Sequence, residues 1–211
     1  MTDIGGNLDV LAALRGSQNL CLDLIHEPGN VAWAVSKIDD AWEKAYSALD
    51  AVIAQTQRGT AAWMGLWCPK RWYPLQCDFS AMISPQMFEQ FVAPSLRRLC
   101  RFLDFTIYHL DGPGQIPHLD VLLDIPELDG IQWVPGAGNP QNEAPQWFPL
   151  YERILSKNKR LVLQCWDNPR DIPAVLERIP HKGLLVSATF STEAEAREVL
   201  HTVRGKCNGL S

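Results

Sequence analysis

The residues best placed to do chemistry, His109 and Asp111, stand two positions apart at the end of a short apolar, β-branched segment. In a β-strand, residues i and i+2 point to the same side, so the imidazole and the carboxylate are expected to face a common space. The segment ends at Gly112-Pro113-Gly114, a sequence that breaks regular structure. We therefore predict a catalytic site at this strand end, built first on His109 and Asp111.

Three roles are open for this pair: two ligands of a metal ion, a general acid and base, or a structural hydrogen bond that merely tethers His109. Imidazole is the side chain most easily poised for proton transfer near neutral pH. A catalytic zinc ion generally takes three protein ligands, so a metal would need one more. Asp78, Asp167 or Cys165 would supply it if the fold brings their strand ends together.

The composition favours one globular domain over residues 1–211, because 46% of the chain is hydrophobic and only 20% is charged. A net charge of −5, with no block of Lys or Arg, argues against nucleic acid or an anionic membrane as partner. No apolar run approaches the ~20 residues of a membrane span. The six cysteines are dispersed, which fits reduced thiols and a cytoplasmic protein.

Hydrophobic periodicity predicts helices and strands in alternation. Helices are predicted over Asn7–Arg15, ending at Gly16, over 31–53, and around 116–123 and 147–155. Strands are predicted at 60–64, Phe105–Asp111, Gly130–Val134, 160–165 and 183–187, with an aromatic loop at 67–74. Further helices are predicted to open at Ser84-Pro85 with a kink at Pro94, at Asn168-Pro169, and at the capping pair Thr192 and Glu195 with a stop at Gly205.

About five strands, each followed by a helix, predict an α/β fold with a parallel sheet and right-handed crossovers. Two architectures are open: a doubly wound open sheet or part of a (β/α)8 barrel. The chain has no G-x-G-x-x-G and no P-loop after a strand, which weakens the nucleotide-binding version. Polar side chains at the ends of several strands are typical of barrels.

Aromatic residues at predicted strand ends suit a flat or apolar small-molecule substrate, although Trp is also common in cores. The expected substrate-binding residues are Trp133, Gln132, Trp166 and Trp67. The remaining histidines lie on or beside predicted helices and are expected to be solvated: His26, His118, His181 and His201.

Three segments together resemble the second half of the uroporphyrinogen decarboxylase superfamily, which also contains the zinc-dependent corrinoid methyltransferases. The segments are Cys77-Asp78-Phe79-Ser80-Ala81-Met82-Ile83-Ser84-Pro85-Gln86-Met87-Phe88, Phe91-Val92-Ala93-Pro94 and Tyr108-His109-Leu110-Asp111-Gly112. The similarity extends over roughly residues 7–200, and its most specific part is the Asp-x-Ser segment spaced correctly from His-x-Asp-Gly.

Family members are (β/α)8 barrels longer than this chain, so the resemblance implies the C-terminal part of such a barrel, with the N-terminal part missing. About five strands where a barrel has eight agree with that. Either the sequence is a fragment or a separate chain supplies the rest. Since a half-barrel would expose strand edges, the missing barrel half is an expected partner.

The two branches of the family imply different sites. In the decarboxylase, the carboxylate that grips the pyrrole nitrogens and the basic residues for the acid side chains lie near the N-terminus, which has no counterpart here. In the methyltransferases, His-x-Cys and a Cys after the last strand hold zinc. Here His109 matches the His and Asp111 replaces the Cys, while the last strand offers Ser187, Thr189 or Ser191.

The resemblance thus implies an enzyme domain with His109, Asp111 and Asp78 as catalytic residues, and with His109 and Asp111 as possible ligands of Zn. It leans to methyl transfer, with a corrinoid on a partner protein as methyl donor, because the chain lacks a basic cluster for a substrate with many carboxylates. The alternatives are uroporphyrinogen decarboxylation and an inactive, truncated barrel that serves binding or assembly.

Overall fold

Three helices precede the first strand. In the computed structural model, the backbone is described for residues 1–180 and 182–208, and the side chains for 1–180 and 182–205. The helices are α1 (Asn7–Arg15), α2 (Ser17–His26) and α3 (Pro28–Ile53). Gly16 separates α1 from α2 with a φ of +85°, a conformation that favours glycine. Both helices predicted in this region are confirmed.

A two-stranded antiparallel hairpin follows, formed by β1 (Thr60–Ala61) and β2 (Trp67–Cys68). The predicted strand over 60–64 is therefore wrong in two respects. Only its first two residues, Thr60 and Ala61, form a strand. This strand pairs with β2 in the hairpin and does not belong to the parallel sheet. The chain leaves the strand at Ala62 and turns through Gly65, whose φ is +76°, so the apolar run divides between a short strand and a turn.

The central element is a five-stranded parallel sheet flanked by helices. Its strands are β3 (Trp72–Leu75), β4 (Phe105–Asp111), β5 (Gly130–Val134), β6 (Arg160–Leu163) and β7 (Leu184–Val186). Their spatial order is β3-β4-β5-β6-β7, the same as their order in the chain. The predicted α/β class is confirmed, and a consecutive order is compatible with part of an α/β barrel.

The first strand of this sheet, β3, lies in the segment predicted as an aromatic loop, so that prediction is wrong. Pro74 lacks a backbone N–H and weakens the strand signal, but β3 is at the sheet edge, where proline is tolerated. β3 pairs with β4 from Trp72 opposite Phe105 to Leu75 opposite Tyr108. All four β3 residues are buried.

The helix predicted to open at Ser84-Pro85 is continuous but has three segments: α4 (Pro85–Met87), a π-helical turn (Phe88–Val92) and α5 (Ala93–Phe102). The Ser84 hydroxyl accepts the Met87 N–H at 3.2 Å, which confirms the N-cap. A π-helical turn, Phe88–Val92, lies just ahead of Pro94, the residue at which a kink is predicted. A π-helical turn shifts the hydrogen-bond ladder around a residue that cannot donate.

The remaining helices follow the predicted positions, with different ends. They are a 3-10 helix (Pro113–His118), α6 (Leu119–Leu123), a 3-10 turn (Pro145–Trp147), α7 (Phe148–Ser156), a 3-10 turn (Pro169–Asp171), α8 (Ile172–Leu176) and α9 (Glu193–Asn208). The Asn168 side chain accepts the Arg170 N–H, and Thr192 accepts the Glu195 N–H. The predicted stop at Gly205 is wrong, because α9 continues to Asn208; a single glycine costs a helix only about 1 kcal/mol.

The chain divides into two compact units: unit 1, residues 1–109 and 114–129, and unit 2, the remainder. The division falls within β4. In unit 1, Trp42 stacks on Tyr46 and meets Tyr73 edge-on, with ring centroids 5.5 and 5.1 Å apart. In unit 2, Trp133 packs on Trp147 at 4.9 Å. Within the described residues, no helix is both long and apolar enough to cross a membrane.

Candidate functional site

The carboxyl end of β4 presents the two residues predicted first. His109 and Asp111 are both half-buried, and β4 includes both of them, so their side chains share one side of the strand. The chain then turns at Gly112, whose φ is +77° and whose N–H donates to the Val134 carbonyl at 2.8 Å. The predicted strand and its glycine break are confirmed.

Asp78 joins this pair. It is the first residue of a 3-10 helix, Asp78–Met82, that follows β3, and its side chain is exposed. One ligand atom each from Asp78, His109 and Asp111 lies within 4.8 Å of the other two. We call these three residues the triad. β3 and β4 are neighbouring parallel strands, which explains why the residues that follow their carboxyl ends meet.

The triad offers one imidazole nitrogen and two carboxylates, a set that suits a divalent cation of borderline or hard character such as Zn²⁺, Mn²⁺ or Fe²⁺. It contains no thiolate, the ligand that would select a soft metal. Catalytic zinc sites use three protein ligands and leave a fourth position for an exchangeable group. The triad supplies three ligands. The donor chemistry therefore fits a resident cation, although exposed acidic groups also occur together without one.

Cys165, one of the residues considered as a third ligand, lies after β6. Burial raises the pKa of its thiol, and the negative charge of Asp111 raises it further. The neutral thiol is therefore its favoured form without a cation. Asp167, the other alternative, is exposed, and its N–H donates to Glu143 at 3.1 Å. Asp78, and neither of these two, completes the triad.

Trp63 is a neighbour of His109 that the sequence interpretation missed. The indole and imidazole rings are nearly perpendicular, at 87°, with centroids 5.1 Å apart. Trp63 is 37% exposed and lies in the turn of the β1–β2 hairpin. An exposed indole beside His109 would border any ligand held by the triad.

Asp9 is a second missed residue. Its two carboxylate oxygens accept the backbone N–H groups of Asp78 and Phe79, at 3.0 and 2.7 Å. Asp9 is on α1, so nothing in the local sequence around Asp78 indicates the contact.

The prediction that His118 is solvated is wrong. The residue is completely buried, with Nε2 at 2.8 Å from the Ser80 carbonyl and its ring stacked on Phe88 at 4.5 Å. Burial lowers the pKa of its imidazole, and the hydrogen bond to Ser80 opposes that shift. His26 and His201 are exposed, and His181 lies outside the described residues.

The four residues predicted to bind substrate occupy different environments. Trp133 and Gln132 are buried in β5, where Trp133 packs on Trp147 and Gln132 donates to the Gln164 side chain. Trp166 is half-buried and its indole donates to the Ser187 carbonyl at 3.1 Å. Trp67, on β2, is 60% exposed. Trp133 is completely buried, so it cannot contact a ligand in this conformation.

Comparisons with known proteins add no family to this geometry. No family model matches the chain, and no curated protein matches it. The likeness to the uroporphyrinogen decarboxylase superfamily therefore rests on the residues themselves.

Proposed function

We propose that this chain is an enzyme domain of the uroporphyrinogen decarboxylase type, the C-terminal part of a (β/α)8 barrel, and that the triad is its metal-binding catalytic centre. Three features support the proposal: the consecutive order of the parallel strands, the location of the triad at their carboxyl ends, and the residue pattern around Asp78 and His109. Barrel enzymes place their catalytic residues at that end of the strands.

The observation that carries the proposal is the convergence of Asp78, His109 and Asp111 to within 4.8 Å. A cation held there would act as a Lewis acid and favour the deprotonated, nucleophilic form of a bound acceptor. We therefore favour methyl transfer from a corrinoid on a partner protein to a small-molecule acceptor. A net charge of −5 without a basic run makes a porphyrinogen with many carboxylates the less suitable substrate.

Metal analysis tests the proposal directly. Protein dialysed against Zn²⁺ or Mn²⁺ and then against buffer should retain about one cation per chain, because three ligands converge at one point. His109→Ala should abolish retention, since it removes the nitrogen ligand. His26→Ala is the matched control, because His26 is exposed at the end of α2. No retained cation in the unsubstituted protein would overturn the metal-centre proposal.

Asp111→Cys tests the family side of the proposal, because it restores the His-x-Cys pair of the methyltransferases. The Co²⁺-loaded variant should show a sulfur-to-cobalt charge-transfer band, and its Zn²⁺ affinity should rise. Asp167→Cys, at another strand end, should show neither change. The preference for methyl transfer fails if the protein shows no transfer from methylcobalamin to a thiol acceptor but converts uroporphyrinogen to coproporphyrinogen.

A further inference from the structure

We propose that Asp9 is a positioning residue that aims the Asp78 carboxylate into the triad. This inference rests on the proposed role of the triad as a metal centre. It assigns to α1, an element far from the triad in sequence, the task of holding one ligand in place.

The start of the 3-10 helix that carries Asp78 needs an external cap. Its N-cap residue, Cys77, makes no capping hydrogen bond with its side chain. The first N–H groups of any helix lack intrahelical acceptors. Asp9 supplies both acceptors here, with Oδ2 at 3.0 Å from the Asp78 nitrogen and Oδ1 at 2.7 Å from the Phe79 nitrogen. Two bonds from one carboxylate fix the peptide units on both sides of the Asp78 Cα atom, and with them the direction in which the Asp78 side chain leaves the backbone.

Asp9 is itself held by a close approach of α1 to the chain ahead of Asp78. Gly6 is buried at the start of α1, and a Cβ atom on it would lie 2.2 Å from the Gln76 carbonyl oxygen and 2.4 Å from Asp9 Oδ2. Only glycine permits this distance. Leu8 is completely buried, and Asn7 donates to the Phe91 carbonyl at 3.3 Å. These contacts hold the start of α1, and therefore the Asp9 carboxylate, in place.

The middle of the 3-10 helix is also held in place, by His118 Nε2 at 2.8 Å from the Ser80 carbonyl. The segment that carries Asp78 is thus held at two points, by Asp9 at its first two N–H groups and by His118 at the Ser80 carbonyl. Hydrogen bonds that orient a metal ligand typically contribute a factor of about 10–100 to metal affinity. Asp9 should contribute through the geometry of Asp78, without touching the cation.

The test compares Asp9→Ala with Ser84→Ala. Each substitution removes a side-chain oxygen that caps a helix in the same part of the chain, but Ser84 caps α4 through Met87 and does not contact Asp78. Co²⁺ is the probe, because its visible absorption reports the coordination geometry. We expect Asp9→Ala to weaken Co²⁺ binding by about 10–100-fold and to change the absorption spectrum. Ser84→Ala should leave both as they are in the unsubstituted protein.

Two further variants keep the result interpretable if Asp9→Ala fails to fold. Asp9→Asn retains one acceptor oxygen and should fall between Asp9→Ala and the unsubstituted protein. Gly6→Ala leaves the carboxylate intact but displaces it, and should reproduce the spectral change. Co²⁺ binding and spectra that are unchanged in all three would overturn the positioning role alone. Failure of the unsubstituted protein to bind Co²⁺ would overturn the metal centre, and this inference with it.

Discussion

Trp63 makes metal binding at His109 observable, because its ring centroid is 5.1 Å from that of the imidazole. Paramagnetic Co²⁺ at the triad should therefore quench Trp63 fluorescence strongly. We expect Trp63→Phe, which removes one of eight tryptophans, to abolish most of the Co²⁺-dependent quenching. Trp67→Phe, an exposed residue of the same hairpin, should leave the quenching in place. Equal quenching in Trp63→Phe and the unsubstituted protein would place the cation elsewhere.

His118 should make the protein less stable in mild acid. Burial lowers the pKa of the folded state's imidazole below its ordinary value of 6.5, whereas the unfolded chain keeps that value. The contribution of His118 to stability is therefore fully present above about pH 6.5. It falls as the pH drops toward the folded-state pKa, because the unfolded state binds the proton more readily.

Urea unfolding at pH 7.5 and 5.5 measures this effect. His118→Gln keeps an N–H group for the Ser80 carbonyl but does not titrate, so it should lose less stability between the two pH values than the unsubstituted protein. His26→Gln, at an exposed position, should behave like the unsubstituted protein. If His118→Gln loses as much stability between pH 7.5 and 5.5 as the unsubstituted protein does, another group is responsible for the loss.

Local patterns could predict some of these residues and not others. His109 and Asp111 belong to one strand, so strand periodicity alone puts them on one side. Asp9 and His118 act through backbone atoms 69 and 38 residues away. No periodicity encodes such contacts, and a histidine beside a short helix looks the same whether it is solvated or stacked on Phe88.

At the scale of elements, α3 provides hydrogen-bond partners for Trp72, the first residue of the edge strand β3. The Tyr46 hydroxyl accepts the Trp72 N–H at 3.0 Å and donates to the Trp72 carbonyl at 3.2 Å. Burial raises the pKa of Tyr46 to about 12, so the hydroxyl keeps its proton. One side chain thus satisfies both backbone groups of an edge residue, as a further strand would.

Tyr46→Phe should destabilise the protein by about 1–3 kcal/mol, because it leaves a buried N–H and carbonyl without a partner. Chemical denaturation measures the loss. Ser47→Ala, the matched control, removes an exposed hydroxyl from the neighbouring position of the same helix and should change stability by less than about 0.5 kcal/mol. If Tyr46→Phe leaves the free energy of unfolding unchanged, water or a shifted backbone must supply the hydrogen bonds of Trp72.

The same edge explains the main error in the element predictions. Propensity discounts a strand that contains Pro74, and only the fold reveals that β3 lies at an edge where proline is tolerated. The interior strand β6 carries a continuous apolar run, Leu161-Val162-Leu163, that is buried, and such a run predicts a strand covered on both faces directly from the sequence. Edge elements are harder to predict because their tertiary neighbours, such as Tyr46, determine whether they form.

At the scale of the whole molecule, the last strand of the sheet, β7, has no fully buried residue. Leu163 of β6 is completely buried, whereas Leu185 of β7 is 40% exposed. The neighbouring β7 residues Leu184 and Val186 are half-buried. A parallel strand is normally covered on both faces, so β7 is the part of the sheet that the described residues cover least.

This difference in burial between Leu163 and Leu185 predicts unequal costs for the same substitution. Leu163→Ala should cost about 2–5 kcal/mol through lost burial and a cavity, and Leu185→Ala less than about 1 kcal/mol, since less apolar surface leaves water there. Urea denaturation of the two variants under identical conditions provides the measurement. A Leu185→Ala cost equal to that of Leu163→Ala would contradict an exposed β7. It would show that another surface covers this strand in solution.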